Sequence, residues 1–362
     1  MATPAATDAY RTRFSGQFGR TFFRRFSGLA VASVGLGTYL GEPTDAVDER
    51  YREAVVEAVE NGCNVLDTAI NYRHQRSERV VGEAIEAADV DRDAVFVATK
   101  GGFLPFDGER PADPGAYLRE TYLDTGLVDG DDLARGVHCI APDFIEDQFD
   151  RSRANLGVDT IDCYYVHNPE TQLAVRDAAG VYDRLERAFE RLERRVASGG
   201  LRSYGVATWE AFRVPPDDDR YLSLPEVLRR ARAAAEAAGR PETAFRAVQL
   251  PFNVVMADAF RVAAHGDGPR SALAVAREAG LGVFTSASLA QGELATEGTI
   301  PAAVADRLPG DAPAGRAINF ARSAPGVTCA LVGASSVDHV RENLAAGACD
   351  AMGAGAFDAT FE

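Results

Sequence analysis

The chain contains almost no lysine. Among its 38 basic residues only Lys100 is a lysine and all the others are arginine, against 54 acidic residues and a net charge of −16. Nucleic-acid-binding proteins need clustered positive charge to contact phosphates, so this balance argues against a nucleic-acid partner. A strongly acidic composition with so little lysine is typical of proteins from a salt-rich cytoplasm, where ions screen self-repulsion. We therefore expect an acidic surface and a halophilic source.

The chain also lacks paired cysteines and long apolar runs. Cys63, Cys139, Cys163, Cys329 and Cys349 contain no C-x-x-C pair and are odd in number, which favours reduced thiols in a cytoplasmic protein. No apolar run reaches the roughly 18 residues that a membrane span needs, and the first residues do not resemble a signal peptide. No His/Cys cluster has the spacing of metal ligands. We expect a cytoplasmic protein that uses neither a membrane nor a metal.

Short apolar strands and amphipathic helices alternate along most of the chain. The strand NVLDTA precedes a helix near 77–86, the strand AVFVATK follows, and the alternation continues to a helix near 337–346, giving eight strand–helix pairs. Such alternation implies parallel strands joined by right-handed crossovers. Eight pairs fit a closed (β/α)8 TIM barrel, an α/β fold, better than an open sheet.

Three segments depart from this alternation within the single domain that we expect over residues 1–362. Residues 1–28 are predicted to form a polar leader and an N-terminal hairpin. Residues 102–141, rich in Gly, Pro and aromatic residues, form a long insertion after the third strand, and in a barrel this insertion would lie over the active-site face. The Gly- and Ala-rich tail, 347–362, is expected to pack loosely.

Four titratable residues lie at or just after the carboxyl ends of three consecutive predicted strands. Asp67 and Tyr72 follow the second strand, Lys100 ends the third, and His167 ends the fourth. Because barrel strands end at one face, where active sites form, these side chains should converge, although each alone also suits a structural role. An ammonium beside Tyr72 would lower the pKa of its phenol, and Asp67 would keep that ammonium charged. With such neighbours Tyr72 could act as a proton donor.

These residues and their surroundings resemble the aldo-keto reductase superfamily, from about residue 21 to residue 346. The resemblance implies that Asp67, Tyr72, Lys100 and His167 form the catalytic tetrad of an NAD(P)H-dependent oxidoreductase, with His167 orienting the substrate carbonyl. Aldehydes and ketones would be reduced to alcohols, reversibly. The matching stretches include GLGTY (35–39), LDTAINY (66–72), VATK (97–100), IDCYYVHNP (161–169), VQLPFN (248–253) and LVGASSVDHVRENL (331–344).

The same resemblance implies an extended nicotinamide dinucleotide across the barrel mouth. The usual Ser-Asn after the fifth strand is Ala207-Thr208, Ser286 stands where an aromatic residue usually stacks on the nicotinamide, and His339 replaces an arginine, with Arg341 nearby. NADP remains the cofactor that the resemblance implies, and these departures leave NAD as the alternative. The implied cofactor-binding residues are Gly37, Thr38, Tyr39, Thr208, Gln249, Ser286, Leu289, Gly333, Ser335, Ser336, His339 and Asn343.

Other functions fit parts of the same sequence. A non-catalytic, nucleotide-binding regulatory or subunit protein on this fold is the main alternative, whereas a Schiff-base lyase is disfavoured because Asp67 would keep Lys100 protonated. The RHQR segment 73–76 after Tyr72 either favours an anionic or polyhydroxylated substrate or is surface solvation, and Trp209 either stacks on a sugar or walls the pocket. The partner is expected to be a small carbonyl compound, and the oligomeric state stays open.

Overall fold

The computed structural model describes residues 1–266, 268 and 270–361, and its strands and helices alternate as the sequence predicts. The strands are β1 (Phe23–Phe26), β2 (Leu29–Ala32), β3 (Val34–Gly37), β4 (Val65–Asp67), β5 (Phe96–Gly101), β6 (Ile161–His167), β7 (Leu201–Ala207), β8 (Phe245–Pro251), β9 (Gly282–Ser286) and β10 (Val327–Gly333). The helices are α1 (Pro4–Arg13), α2 (Asp45–Glu60), α3 (Arg76–Ala87), α4 (Pro114–Leu118), α5 (Pro142–Leu156), α6 (Ala178–Ala197), α7 (Leu224–Ala237), α8 (Asp258–Arg261), α9 (Ala272–Glu278), α10 (Ala302–Ala305), α11 (Pro313–Ser323), α12 (Val337–Ala345) and α13 (Ala354–Asp358).

Strands β3 to β10 close into a parallel barrel, with β10 pairing back to β3. This confirms the predicted (β/α)8 TIM barrel. Apolar side chains that alternate along the strands fill its interior, including Val65, Phe96, Tyr165 and Phe284, while the apolar faces of the surrounding helices pack outside. The parallel register brings the strand ends that carry the polar residues to one mouth.

The N-terminal hairpin consists of β1 and β2, which pair antiparallel outside the barrel. This confirms the predicted hairpin, although its second strand, Leu29–Ala32, lies entirely beyond the predicted end at residue 28. The leader is not an unstructured segment, because it contains α1 and is anchored by hydrogen bonds. The Tyr10 hydroxyl donates to the carbonyl of Val59 at 2.5 Å, and the amide of Ala2 donates to Asp162 at 2.6 Å.

The insertion, residues 102–141, lies at the carboxyl ends of the strands and has a small core of its own. Leu104, Tyr122 and Cys139 are buried there together with Phe144 of α5. The two ends of the insertion meet in an antiparallel bridge between Phe103 and His138, which we call the neck of the insertion. The insertion is therefore a packed lobe, and its neck reaches the mouth of the barrel.

The tail packs firmly, contrary to the expectation of a loose segment over 347–362. Phe357 of α13 is fully buried and its ring centroid lies 5.0 Å from that of Phe320. The buried Arg322 donates to the carbonyl of Cys349 at 2.9 Å. The tail packs despite its Gly- and Ala-rich composition because its aromatic residues bury more apolar surface than a loose segment would.

Among the helices of the described residues, none has the length and apolar character that a membrane span requires.

Candidate active site

The single lysine is completely buried at the carboxyl end of β5. Its Nζ donates to Asp67 Oδ1 at 2.6 Å, to the carbonyl of Thr68 at 2.8 Å and to the Tyr72 hydroxyl at 3.2 Å. Strands β4 and β5 pair with Asp67 opposite Ala98, so Lys100, two residues further on, projects on the same side of the sheet. All three N–H donors of the ammonium are therefore used.

Asp67 is held as a carboxylate. Its Oδ1 accepts from Lys100, and its Oδ2 accepts from the side-chain amide of Gln249 at 2.8 Å. Burial raises the pKa of Asp67, while the Lys100 ammonium and the Gln249 amide oppose that rise. Burial by itself would lower the pKa of Lys100, but Asp67 and Tyr72 raise it above the ordinary value, so the amine stays charged.

Tyr72 lies in the turn after β4, with its ring centroid 4.8 Å from Lys100 Nζ and 5.0 Å from the ring of Tyr39. Burial raises the pKa of Tyr72 above its ordinary value, and the neighbouring ammonium offsets only part of that effect. The expected lowering of this pKa is therefore wrong, because desolvation of the phenolate outweighs the attraction of the ammonium. The phenol is protonated at neutral pH.

His167 ends β6, and its ring centroid lies 6.0 Å from that of Tyr72. Burial lowers the pKa of His167 well below its ordinary value, and the positive charge of Lys100 adds to this effect, so the imidazole is neutral at pH 7. Its Nδ1 is buried without a hydrogen-bond partner among the described residues. The structure thus brings all four predicted titratable residues together at the mouth of the barrel.

Several other buried polar atoms at this mouth have no partner in the described part of the chain. They belong to residues that follow the carboxyl ends of β4, β6 and β7. Buried polar groups are normally paired, so these atoms are available to hydrogen-bond a molecule that binds beside them. In residues 1–266, 268 and 270–361 no group of three or more His, Cys, Asp or Glu side chains is placed to hold a metal ion. These other unpaired atoms are Thr68 Oγ1, Asn71 Oδ1, Glu170 Oε2 and Thr208 Oγ1.

The residues named for cofactor binding on the strands all lie at or near the mouth. Thr38 is buried and its hydroxyl donates to the carbonyl of Asp67 at 3.3 Å, whereas Tyr39 is 56% exposed. The side-chain amide of Gln249 donates to Asp67, so it helps to hold the Asp67 carboxylate in place. The remaining residues of this group, by position, are Gly37 at the end of β3, Thr208 after β7, Ser286 at the end of β9 and Leu289 just beyond it.

A second set of these residues lies around β10 and α12. Ser336 caps α12, because its hydroxyl accepts a hydrogen bond from the amide of His339 at 3.3 Å. Arg341 is bound to Glu57 at 2.8 Å, so its guanidinium is already paired. Of the others, Gly333 and His339 are exposed, Ser335 is half-buried and Asn343 is buried.

Arg73, the first residue of the segment 73–76, is not solvated at the surface. It is buried, forms an ion pair with Asp48 and donates to the carbonyl of Glu42 at 3.2 Å. Arg73, His74 and Gln75 have φ values of 48°, 57° and 71°, a left-handed run that non-glycine residues rarely adopt. The buried ion pair therefore holds the turn after Tyr72 in a strained conformation.

The neck of the insertion contributes residues that the sequence did not identify as functional. The Phe103 ring lies 5.1 Å from the ring of His167, and His138 Nε2 lies 2.7 Å from the main-chain oxygen of His167. The one available signal was a histidine inside the apolar run VHCI, residues 137–140. Contacts between segments this far apart leave no local pattern in the sequence.

The protein is thus a closed parallel barrel with a buried acid–base cluster at its mouth. The model of the Aldo/keto reductase family matches residues 33–354. This chain therefore belongs to the aldo/keto reductase family.

Individual relatives are more distant. The 6-dehydroglucose reductase of Novosphingobium aromaticivorans is 28% identical over 189 residues, which cover 51% of this chain and 49% of that protein. The chain matches half or less of the length of such curated relatives. The aldo-keto reductase AKR11C1 from Bacillus halodurans, in its holo form, has a TM-score of 0.64 at 20% identity, over 94% of this chain and 96% of that one. An aldo/keto reductase from Klebsiella pneumoniae, in complex with NADP and acetate, has a TM-score of 0.60 at 20% identity, over 94% of each chain.

Proposed function

We propose that this protein is an NAD(P)H-dependent oxidoreductase that reduces aldehyde and ketone carbonyls to alcohols and also catalyses the reverse reaction. The observation that carries the proposal is the fully buried Lys100, whose Nζ lies 2.6 Å from Asp67 and 3.2 Å from the Tyr72 hydroxyl. A fixed positive charge beside a phenol stabilises the phenolate that proton donation leaves behind. The cluster therefore suits a reaction that places a proton on a carbonyl oxygen.

In the proposed reduction, Tyr72 gives its phenolic proton to the carbonyl oxygen, and that oxygen becomes the alcohol hydroxyl. The Lys100 ammonium holds the resulting phenolate, and Asp67 keeps the ammonium in place. The neutral His167 donates an N–H to the carbonyl oxygen and orients the substrate. The carbonyl carbon would receive its hydride from the nicotinamide cofactor when that cofactor is bound.

The residues at the mouth fit such a cofactor. A nicotinamide carboxamide offers both donors and an acceptor, and the unpaired Thr208 hydroxyl is suited to hydrogen-bond it. The exposed Gly333 and the amino-terminal turn of α12 suit a phosphate group. NADP is proposed over NAD because the Klebsiella pneumoniae structure contains NADP, with the exposed His339 near the expected 2′-phosphate.

A non-catalytic nucleotide-binding role is the second candidate. Two observations favour it. The side-chain amide of Gln249 already donates to Asp67, and Ser286 has no ring to stack on a nicotinamide. A Schiff-base lyase has less support, since the raised pKa of Lys100 keeps its amine protonated and non-nucleophilic.

Oxidation of NADPH, measured by absorbance with a panel of aldehydes, ketones and sugar-like carbonyls, tests the proposal. We expect carbonyl-dependent turnover, faster with NADPH than with NADH. Nucleotide binding without turnover on any member of the panel would instead favour the regulatory role. A product trapped on Lys100 by borohydride would favour the lyase.

The rate of reduction should be insensitive to pH across the neutral range. Reduction needs Tyr72 protonated, and burial raises the pKa of this phenol above 10.0, so the proton is lost only in strong alkali. Burial lowers the pKa of His167 well below 6.5, so its N–H donor keeps one protonation state except in acid. We expect kcat for reduction, measured in buffers of constant ionic strength, to stay constant between the ordinary pKa values of histidine and tyrosine, 6.5 and 10.0. A fall in kcat centred between pH 7 and 9 would contradict the protonation states assigned here.

A further inference from the structure

The neck of the insertion is bound to the segment that carries His167. The amide of Cys139 donates to the carbonyl of Gly102 at 2.8 Å, and the amide of Leu104 donates to the carbonyl of Val137 at 2.8 Å, so the two sides of the neck are joined. This ladder places Phe103 and His138 next to each other, with ring centroids 4.8 Å apart. Both residues contact His167, Phe103 at its ring and His138 at its main-chain oxygen.

The approach of the neck to His167 is too close for a side chain at Gly102. A Cβ at this position would lie 2.8 Å from the main-chain oxygen of His167, and Gly102 has a φ of +146°, in the range that favours glycine. The glycine thus lets the neck backbone pack directly against the end of β6.

The hydrogen bonds of His138 determine which of its ring nitrogens carries the proton. The side-chain nitrogen of Gln172 lies 3.0 Å from His138 Nδ1, 3.0 Å from the His138 carbonyl and 3.3 Å from the Asp132 carbonyl. Two main-chain acceptors around this atom identify it as the amide N–H2 group, so Nδ1 accepts. The proton therefore sits on Nε2, which donates to the His167 carbonyl at 2.7 Å.

His138 is completely buried, and burial lowers its pKa to about 4, so this arrangement persists at neutral pH. Gln172 belongs to the short 3-10 helix Pro169–Ala174 that directly follows His167. Asp132 of the insertion also accepts from Arg184 of α6 at 2.8 Å. The insertion is thus tied to the main chain of His167 and to the helices that follow it.

We infer that His138 is a positioning residue for the proposed reduction, because it fixes the main chain of His167 while Phe103 supports the imidazole ring. This inference rests on the proposed function, since the position of His167 matters for turnover only if His167 orients a carbonyl. A displacement of about 1 Å in a catalytic group can cost roughly 10²-fold in rate. The long insertion would then act as a brace for the active site as well as a cover.

Three substitutions at one position separate this role from simple packing. The amide nitrogen of H138Q reaches about as far as Nε2 and retains the donor to the His167 carbonyl. H138N instead places an amide oxygen near Nδ1, so it retains only the bond from Gln172. H138F fills the space but makes neither bond. The Gln and Asn variants carry the same functional group and differ in which bond they preserve.

We expect kcat for carbonyl reduction to fall about 10- to 100-fold in H138N and H138F, and to stay within about threefold of wild type in H138Q. KM for the nucleotide should change little in all three. Equal losses in H138Q and H138N, or unchanged kcat in all three, would overturn the inference, as would an effect confined to KM. Melting temperatures of the variants show whether a fall in kcat reflects only a loss of stability.

Crystal structures of the same variants make the test independent of activity. The His167 ring should be displaced in H138N and H138F and retained in H138Q. If the wild-type protein turned over no carbonyl, the proposed function would fail while these structures still tested the positioning role. A His167 ring that stays in place in all three variants would overturn it.

Discussion

Replacing Tyr72 with phenylalanine is expected to lower kcat for carbonyl reduction by roughly 10²- to 10⁴-fold, the usual contribution of a positioned acid. The ring and its packing against Tyr39 remain, but the hydroxyl that lies 3.2 Å from Lys100 is lost. One N–H of the buried ammonium then has no partner, which should lower the free energy of unfolding by about 1–3 kcal/mol. Steady-state kinetics with NADPH and a denaturant melt measure the two effects.

Tyr182→Phe is a matched control for this substitution. The Tyr182 hydroxyl accepts a hydrogen bond from the amide of Ser223 at 2.6 Å, on α6 outside the barrel. Its removal likewise leaves an N–H donor without its tyrosine acceptor, here a neutral amide, but should leave turnover unchanged. Near-wild-type rates in Tyr72→Phe, or equal losses in the two variants, would contradict Tyr72 as the proton donor. Binding of the nucleotide should survive in both proteins.

Replacing Lys100 with methionine should be the most destabilising of the substitutions considered. It leaves the Asp67 carboxylate buried without its ammonium partner, and breaking such a pair costs roughly 3–5 kcal/mol. Turnover should be lost as well, because the Tyr72 phenolate is no longer stabilised. Denaturant melts and NADPH oxidation measure both effects. Lys100→Arg keeps the charge, but the larger guanidinium has no room at a fully buried site, so it should also lose most turnover.

A double substitution separates the lost ion pair from lost packing. In Lys100→Met combined with Asp67→Asn no charge is buried, so the free energy of unfolding should be higher than the sum of the two single losses predicts. Strict additivity would show that the two side chains do not form a coupled pair. Arg229→Met serves as the control, because it breaks an exposed pair with Glu226 and should change stability little.

The fold and the acid–base cluster were predictable because both follow from local patterns. Eight strand–helix pairs imply a barrel, and a parallel barrel brings strand ends together, which is why Asp67, Lys100 and His167 were expected to meet. The pKa of Tyr72 was not predictable in the same way. Its direction depends on how completely the phenol is desolvated, which only the packed structure determines.

Long-range contacts account for most of the remaining differences. Nothing beside Arg73 in the sequence indicates that Asp48, 25 residues away, binds its guanidinium. The composition of the tail likewise gave no indication that Phe357 packs against Phe320. Gln249 could be matched to a cofactor position by its motif, but its bond to Asp67 appears only when β8 and β4 face each other across the barrel.

The burial of the chain's one lysine also bears on its chemical durability. Aldehydes condense readily with free amines, and an enzyme with the proposed aldehyde substrates would meet this side reaction at every accessible lysine. Here the sole lysine amine is enclosed, charged and hydrogen-bonded, so the surface offers arginine guanidinium groups in its place. The amine that the proposed chemistry needs is thereby protected from condensation with aldehydes, which would inactivate the protein.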